Sequence, residues 1–394
     1  MKILIINAGS SSIKFQLMQM PSEKVICSGL VERIGAPNAL IIYRSDSAQI
    51  KEQEAIATHS EALQRIAGLL LDPVKGAITN TDEIDTIGHR VVHGGDSYAE
   101  TVVVTEKVKE EIQEFSALAP LHNPHNLKGI QIAEMLFPNA KQVAVFDTAF
   151  HQSMPVKARK YALPNSYFTE NKIKVYGFHG TSHKYVSEKA IAYLKRESPK
   201  IISIHLGNGC SMTAVIDGKS VDHSMGFAPT TGLIMGTRSG DIDPSIIFHL
   251  INRLGYTSEE VNILLNKKSG MLGLTGFTDL RDIQAGAEKG DATCLLALDM
   301  NAYRIKKYIG AYAAAMNGLD AVVFTAGIGE NSTMLRKLIC TDMEYFGLQL
   351  DDVKNDKRSD ILREISTVDS KVKVLVIPTN EELEIAKQVY GLTD

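Results

Sequence analysis

Residues 2–18 read KILIINAGSSSIKFQLM, and this stretch decides the fold. A β-branched run ends in a small polar turn and then resumes as a second apolar run, which is the pattern of two strands joined by a tight turn. Small residues in such a turn leave backbone N–H groups open to phosphate oxygens, and glycine tolerates the positive φ that a tight cradle can require. The stretch therefore predicts a strand-turn-strand unit that binds phosphate.

A second stretch follows the same plan. Residues 201–216 read IISIHLGNGCSMTAVI, and Asp217-Gly218 directly after them predicts a hairpin turn. Two such units in one chain indicate a duplicated domain that holds one polyphosphate from both sides.

Length and composition indicate two domains. The chain has 394 residues, of which 44% are hydrophobic, and this exceeds what one hydrophobic core usually supports. The net charge of −4, without a long basic face, argues against nucleic-acid binding. No apolar run approaches the roughly 18 residues that a membrane span needs, so we expect a cytoplasmic protein without membrane partners. The four cysteines lack C-x-x-C spacing, which argues against a zinc knuckle or a disulfide framework.

Strands alternate with amphipathic helices in both halves of the chain, as expected of α/β domains with mixed sheets. Strands are predicted over residues 2–6, 13–18, 39–43, 86–91, 142–146, 201–205, 211–216, 321–325 and 373–377. Helices are predicted over residues 57–71, 106–118, 127–135, 244–254, 259–266, 292–317 and 381–390.

An arginine and an aspartate stand at the ends of two predicted strands. Residues 88–95 read GHRVVHGG, and Arg90 in this setting can bind a carboxylate or phosphate through two parallel hydrogen bonds. An isolated arginine is more often part of a surface ion pair, so both interpretations stay open. Asp147 follows the apolar run 143–146, where open α/β sheets present ligand-binding groups. On its own, Asp147 fits a helix cap or turn equally well.

Residues 178–183 read FHGTSH and carry two histidines four positions apart. This spacing without a glutamate base or cysteine partners is a weak zinc signal, so histidines that donate hydrogen bonds to an anion fit better. Residues 236–244 read GTRSGDIDP, where Arg238 lies in a loop that a phosphoryl group can approach closely. Residues 327–329 form a G-x-G turn after a predicted strand, but the full dinucleotide spacing is absent, which disfavours a Rossmann dehydrogenase.

Taken together, these stretches resemble the acetate kinase family, within the sugar kinase, Hsp70 and actin superfamily. The resemblance runs from one end of the chain to the other. It is carried by residues 7–14, 88–95, 177–186, 205–211, 236–244, 327–331 and 378–382. It implies two duplicated actin-like, ribonuclease H-like domains with mixed sheets flanked by helices and an active site in the cleft between them. The N-terminal domain would span 1–150 and be completed by the helix 382–394, and the C-terminal, nucleotide-binding domain would span 151–381.

The resemblance also implies an activity, a cofactor and an assembly. The activity is reversible phosphorylation of acetate by ATP, with Mg²⁺ or, as an alternative, Mn²⁺ as the metal and a homodimer as the assembly. It implies catalytic roles for Asp147, His179 and Arg238, and metal binding by Asn7 and Glu381. Amide and carboxylate oxygens suit a hard cation that is held largely through nucleotide phosphates.

Substrate and nucleotide contacts follow from the resemblance in the same way. It implies that Arg90 binds the substrate carboxylate and that Val92, Leu121, Phe178 and Pro229 form a small apolar pocket for the acyl group. The implied nucleotide contacts are Lys14, His205, Leu206, Gly207, Asn208, Gly209, Asp279, Leu280, Arg281, Gly327, Ile328, Gly329, Glu330 and Asn331.

The expected chemistry is direct in-line attack by an acetate oxygen on the γ-phosphorus of ATP. A carboxylate is already deprotonated at neutral pH, so no general base is needed, and Asp147 fits better as an orienter of Arg90 or of metal-bound water. Two alternatives remain at this point. One is a kinase for propionate or another short-chain acid, and the other is an actin-like or Hsp70-like ATPase scaffold, which fold alone does not exclude.

Overall fold

Both strand-turn-strand stretches form antiparallel hairpins in the computed structural model, which describes residues 1–120 and 122–393. The chain divides into two compact units. The first unit comprises Met1–Phe150 and Asn380–Asp394, and the second comprises His151–Thr379. Each unit contains one mixed β-sheet with helices packed around it. The predicted α/β class with mixed sheets is confirmed.

The strands of the first unit follow the apolar runs of its sequence. They are β1 (Lys2–Ala8), β2 (Ser12–Gln19), β3 (Lys24–Glu32), β4 (Ala39–Ser45), β5 (Gln49–Glu54), β6 (Thr86–Val91), β7 (Val102–Val103) and β8 (Lys141–Phe146). The strands of the second unit are β9 (Lys200–Leu206), β10 (Cys210–Ile216), β11 (Lys219–His223), β12 (Ala321–Thr325), β13 (Arg363–Glu364) and β14 (Lys373–Val376).

Most of the predicted helices form, with shifted ends. In the first unit the helices are α1 (His59–Leu70), α2 (Glu106–Glu114) and α3 (Asn123–Leu136). The second unit contains α4 (Val156–Arg159), α5 (Asn165–Thr169), α6 (Gly180–Leu194), α7 (Pro244–Leu254), α8 (Ser258–Lys267), α9 (Gly270–Thr275), α10 (Leu280–Glu288), α11 (Ala292–Met316), α12 (Ala326–Asn331), α13 (Thr333–Cys340) and α14 (Asp352–Asp356). The last helix, α15 (Glu381–Thr393), belongs to the first unit.

The two sheets repeat one strand order. Over the described residues the first sheet runs β5-β4-β3-β2-β1-β6-β8-β7 and the second runs β11-β10-β9-β12-β14-β13. Each begins with an antiparallel meander, of five strands (β1 to β5) in the first sheet and three (β9 to β11) in the second. In each, two further strands continue the sheet parallel to the first strand of the meander: β6 and then β8 after β1, and β12 and then β14 after β9. Parallel central strands need both faces covered, which explains why β1 and β9 are almost wholly apolar and buried.

Helix α15 packs against the first sheet at a glycine. A Cβ atom added to Gly88 on β6 would lie 2.9 Å from side-chain methyl carbons of both Ile385 and Val389. The absence of a side chain at Gly88 therefore lets the helix approach the sheet closely, and the approach holds Glu381 at the helix start near the end of β6.

Two local predictions were wrong, and some strands were not predicted. Residues 326–331 form the short helix α12 rather than a turn, because the chain begins to coil directly after β12. The predicted helix over 106–118 ends as α2 at Glu114, and Phe115–Ala117 form a separate 3₁₀ turn. Strands β3 and β5 were not predicted, and β5 is a polar edge strand with one buried residue, Ile50, which hides its periodicity.

Among the helices that the structure describes, none is both long enough and apolar enough to span a membrane.

Candidate active site

In the first unit, Arg90 at the end of β6 is held by two neighbouring side chains. Its Nε donates to both carboxylate oxygens of Asp147 at 3.0 Å, and its Nη2 donates to Asp147 Oδ2 at 2.5 Å. Its Nη1 donates to Asn7 Oδ1 at 3.1 Å. The side chain of Asp147 is 2% exposed and that of Arg90 is 19% exposed. The guanidinium is therefore fixed in direction while part of it still faces solvent, as a carboxylate-binding arginine requires.

Electrostatics keep this arginine charged. Burial disfavours the charged guanidinium, but the nearby carboxylates of Asp147 and Glu381 outweigh burial, and the pKa of Arg90 is raised. The structure thus brings together Asn7, Arg90, Asp147 and Glu381, which the sequence had related only through the family resemblance.

Two buried asparagines on α3 connect the first phosphate loop to the strand end that carries Arg90. Asn126 Oδ1 accepts a hydrogen bond from Val92 N at 3.1 Å, and its Nδ2 donates to Ala8 O at 2.7 Å. Asn123 bonds to both backbone groups of His93, at 3.0 and 2.9 Å. The sequence analysis did not identify these residues, although buried asparagines at a helix start are a usable signal for such cross-links.

The expected metal ligands fit a hard cation by their chemistry. Burial raises the pKa of Glu381, and the neighbouring carboxylates of Asp147 and Glu382 raise it further, while Arg90 and Lys14 oppose them. A divalent cation beside these oxygens would relieve the repulsion. Within residues 1–120 and 122–393 no group of three or more His, Cys, Asp or Glu side chains could hold a metal without other ligands.

Lys14, expected to contact ATP, forms an ion pair with Glu382 at 2.7 Å. Its side chain is more than half exposed, so its ammonium group is accessible from solvent. Its role toward the nucleotide stays a prediction.

In the second unit, His179 and Arg238 converge on the second phosphate loop. A Cβ atom added to Gly209 would lie 3.4 Å from His179 Nε2 and 3.8 Å from Arg238 Nη1. Arg238 Nη1 donates to Pro229 O at 2.9 Å. Burial lowers the pKa of Arg238, with a small opposing effect from Cys210. A glycine at this point leaves room for a group to reach both side chains.

His179 is fixed from two directions. Its Nδ1 lies 2.9 Å from Ser211 Oγ, and its ring stacks on that of His205 with the ring centres 4.3 Å apart. His205 Nδ1 in turn lies 2.9 Å from Ser182 Oγ. His205 therefore supports His179 as well as lying at the entrance to the loop 207–209.

A pocket of about 790 Å³ lies in the second unit beside this loop. Seven of the expected nucleotide contacts line it, namely Asn208, Asp279, Leu280, Arg281, Gly327, Ile328 and Asn331. Five further lining residues were missed in the sequence, namely Thr237, Thr278, Gln284, Ser332 and Arg358. These five are polar residues in separate segments, and no local pattern marks them.

The remaining expected nucleotide contacts lie around this pocket but do not line it. Leu206 and Gly207 line a smaller adjoining cavity, which shares Leu280 and Ile328 with the large pocket. The carboxylate of Glu330 accepts a hydrogen bond from Thr379 N at 3.0 Å. His205 lies near the end of β9, Gly209 in the loop that follows it, and Gly329 in helix α12.

Asp279 and Arg281 form one structural unit at the start of α10. The carboxylate accepts from Arg281 Nη2 at 2.5 Å and from the Arg281 backbone N at 2.8 Å. The side-chain hydrogen bond and then the backbone hydrogen bond lower the pKa of Asp279 to about 2. The guanidinium of Arg281, which lines the pocket, is thereby held by Asp279.

A buried arginine braces helix α12 behind the pocket. Arg336 on α13 is 1% exposed, and it donates to Gly329 O and Glu330 O at 2.9 Å each. Its other bonds go to Asn355 Oδ1 at 2.8 Å and Asn355 O at 2.9 Å. Burial, together with repulsion from Arg363, lowers the pKa of Arg336 to about 10. The two hydrogen bonds to Gly329 and Glu330 fix the carbonyl end of α12, where its last residues have no helical partner, and the two to Asn355 tie Arg336 to α14.

We expect Arg336→Met to lower the free energy of unfolding by about 3 to 5 kcal/mol, because it leaves several buried oxygens without their donor. Urea-induced unfolding followed by circular dichroism measures the change. The matched control is Lys337→Met on the same helix, whose ion pair with Asp352 is more than half exposed on both sides. It should change stability by less than about 1 kcal/mol. Equal effects of the two substitutions would contradict the bracing role.

The residues expected to form the acyl pocket belong to different units. Val92, in the first unit, is 6% exposed, and Phe178, in the second, is 2% exposed. Pro229 is half-buried and its carbonyl accepts from Arg238. Leu121 lies outside the described residues. The pocket stays a prediction.

Comparisons with known proteins agree with the fold over its full length. The chain is 62% identical over 394 residues to an acetate kinase of Flavobacterium johnsoniae, with 100% of both chains covered. The crystal structure of the acetate kinase of Porphyromonas gingivalis superposes with a TM-score of 0.93 at 42% identity, covering 100% of each chain. A propionate kinase of Francisella tularensis superposes with a TM-score of 0.92 at 41% identity, covering 98% of each.

The fold and these full-length matches define the class of the protein as a kinase. The model of the acetokinase family matches residues 2–387, and the chain belongs to that family.

Proposed function

We propose that the protein transfers the γ-phosphoryl group of ATP to acetate, giving acetyl phosphate and ADP, and that it catalyses the reverse reaction. Family membership gives the reaction class. The observation that carries the choice of a carboxylate acceptor is Arg90, whose guanidinium is fixed by Asp147 and Asn7 and remains 19% exposed. An ATPase that acts only as a scaffold needs no such arginine, so this alternative has no support.

In the proposed reaction a carboxylate oxygen of acetate forms a bond to the γ-phosphorus as the bond from that phosphorus to the β,γ-bridging oxygen breaks. Arg90 holds and orients the acceptor, and Asp147 orients Arg90 without accepting a proton. His179 and Arg238 donate to oxygens of the transferring group, whose charge is spread over three equatorial oxygens in the transition state. Mg²⁺, or Mn²⁺, would be held by Asn7 and Glu381 and would neutralise phosphate charge.

A direct assay tests the proposal. The protein is incubated with MgATP and hydroxylamine together with acetate, propionate or butyrate, and acyl phosphate is trapped as the hydroxamate. We expect hydroxamate with acetate and less with propionate. ATP turnover without hydroxamate from any of the acids would overturn the proposal and favour an ATPase.

Val92 is proposed to limit the length of the acyl chain. Val92→Ala is expected to shift the ratio of kcat/KM values toward propionate by about 10- to 100-fold, since one methylene in an apolar pocket is worth about 1 to 3 kcal/mol. Val91→Ala is the matched control, because Val91 packs into the apolar cluster with Tyr98 and Val108. An unchanged ratio in Val92→Ala would remove Val92 from the specificity argument.

A homodimer is part of the proposal, and exposed apolar surface in the second unit supports it. Helix α7 contains no buried residue, and three of its large apolar side chains are exposed: Ile246 by 45%, Phe248 by 63% and Leu254 by 59%. On α11, Leu296 and Tyr303 are 60% and 67% exposed. Helices with such faces normally bury them against another element, and a second copy of the chain is the proposed cover.

Phe248→Glu is therefore expected to convert the dimer to a monomer, because it buries a charge in the proposed interface. Sedimentation velocity at micromolar concentration measures the mass. Val74→Glu, at a 78% exposed position in the first unit, is the control and should leave the mass unchanged. A monomeric wild-type protein would contradict the homodimer.

The cytoplasmic location, the domain boundaries and the position of the active site between the domains stay predictions.

A further inference from the structure

Both backbone polar groups of Phe178 are hydrogen-bonded to buried imidazole rings. Phe178 N donates to His223 Nε2 at 3.0 Å, and Phe178 O lies 2.9 Å from His151 Nε2. His151 is fully buried and His223 is 5% exposed, and their ring centres are 4.2 Å apart. The two peptide groups that flank the Phe178 Cα, one through its N–H and the other through its C=O, are thus held by side chains from distant parts of the sequence.

The chemistry of the peptide fixes the protons on both rings. An amide N–H can only donate, so His223 Nε2 accepts, and the ring proton is on Nδ1, which faces Thr213 Oγ1 at 2.8 Å. A carbonyl oxygen can only accept, so His151 Nε2 carries a proton, while His151 Nδ1 lies 2.9 Å from Ser220 Oγ. Burial lowers the pKa of His223 well below its ordinary value, and the neighbouring histidines lower it further, which agrees with a neutral ring.

The residues directly before and after Phe178 have unusual backbone conformations. His179, which follows it, has φ of 55°, in the left-handed region that non-glycine residues rarely adopt. Gly177, which precedes it, has φ of 77°, and a Cβ there would lie 2.6 Å from His151 Cγ. Such conformations persist only where surrounding structure over-determines them, and they cluster at functional sites.

We propose that His151 and His223 are positioning residues for phosphoryl transfer. They bond to the N–H and the C=O of Phe178, and this backbone clamp holds His179 in the left-handed conformation that directs its ring to the second phosphate loop. Neither residue touches the substrate. The inference rests on the proposed function, in which His179 donates to the transferring phosphoryl group, and adds two residues that act only through His179.

Matched amide substitutions test the clamp, because glutamine and asparagine reproduce different ring nitrogens. Glutamine extends its amide to the place of Nε2 and can keep the bond to Phe178, whereas asparagine reaches only the place of Nδ1. We expect His223→Asn to lower kcat by about tenfold with KM values near wild type, since one hydrogen bond is worth on the order of a factor of ten. His223→Gln should retain kcat within about threefold. The pair His151→Asn and His151→Gln should behave in the same way.

A second measurement separates positioning from a general loss of structure. In the background of His179→Ala, His223→Asn should cost no further activity, because a residue that acts through His179 has nothing left to position. Thr213→Val is the control for loss of the other His223 contact, and it should lower thermal stability while leaving kcat near wild type.

The outcomes are distinct. Equal kcat for His223→Asn and His223→Gln, or additive losses with His179→Ala, would overturn the clamp. If His223→Asn does not fold, the comparison of the two His151 variants decides in its place. Failure of the proposed function would instead show as absence of hydroxamate from the wild-type protein.

Discussion

Arg238→Ala is expected to lower kcat by about 10²- to 10³-fold, the usual cost of removing one donor to the developing charge of a transition state. The side chain is half-buried beside Gly209, and its hydrogen bonds within residues 1–120 and 122–393 go to the carbonyl of Pro229 and the sulfur of Met235. Its loss therefore removes little folding energy, and the unfolding temperature should stay within a few degrees of wild type. KM for acetate should change little, because the interaction is made mainly in the transition state.

Initial rates with saturating MgATP and acetate measure this effect. Arg238→Lys is the informative companion, since lysine keeps the charge but not the planar fork, and it should recover only part of the rate. Arg44→Ala, at an exposed position on β4, is the control and should retain wild-type turnover. Near-wild-type kcat in Arg238→Ala would show that the transferring group does not contact this arginine.

Arg90→Ala is expected to lower kcat/KM for acetate by about 10³-fold, since it removes both the binding and the orientation of the acceptor. It should also destabilise the first unit by on the order of 3 kcal/mol, because the carboxylate of Asp147, 2% exposed, loses its guanidinium partner. Arg90 and Arg238 thus differ in kind. Arg90 forms a buried ion pair with Asp147, whereas Arg238 bonds to a carbonyl oxygen and a sulfur atom.

The double variant Arg90→Ala/Asp147→Asn separates the two effects. Removing the buried charge should restore most of the lost stability in thermal unfolding, while activity should remain at the level of Arg90→Ala. A double variant that regains turnover, or a single variant with wild-type kcat/KM, would contradict the assignment of Arg90 to the acceptor.

The sequence was sufficient for the features that depend on local pattern. The sequence shows the β-branched runs of β1 and β9, because buried parallel strands must be apolar throughout. It also shows the small polar turn that follows each of these strands. The strand-end positions of Arg90 and Asp147 were also readable. Their mutual hydrogen bonds were not, because 57 residues separate them and only the parallel pairing of β6 with β8 brings them together.

Other parts of the site have no local signal. Thr278, Gln284 and Arg358 reach the nucleotide-sized pocket from separate segments of the second unit. No sequence motif marks His151 or His223, and only the fold brings them to the C=O and the N–H of Phe178. Polar networks of this kind are specified by tertiary packing, which neither periodicity nor spacing encodes.

The packing of α15 on Gly88 has a consequence for biosynthesis. Residues 381–393 leave the ribosome only after the whole second unit has been made, so β6 lacks the cover of Ile385 and Val389 throughout that time. The second unit is continuous in sequence and can fold first, whereas the first must wait with part of its sheet open. The nascent chain therefore has a period of exposure in which a chaperone that binds apolar strands would act on the N-terminal residues.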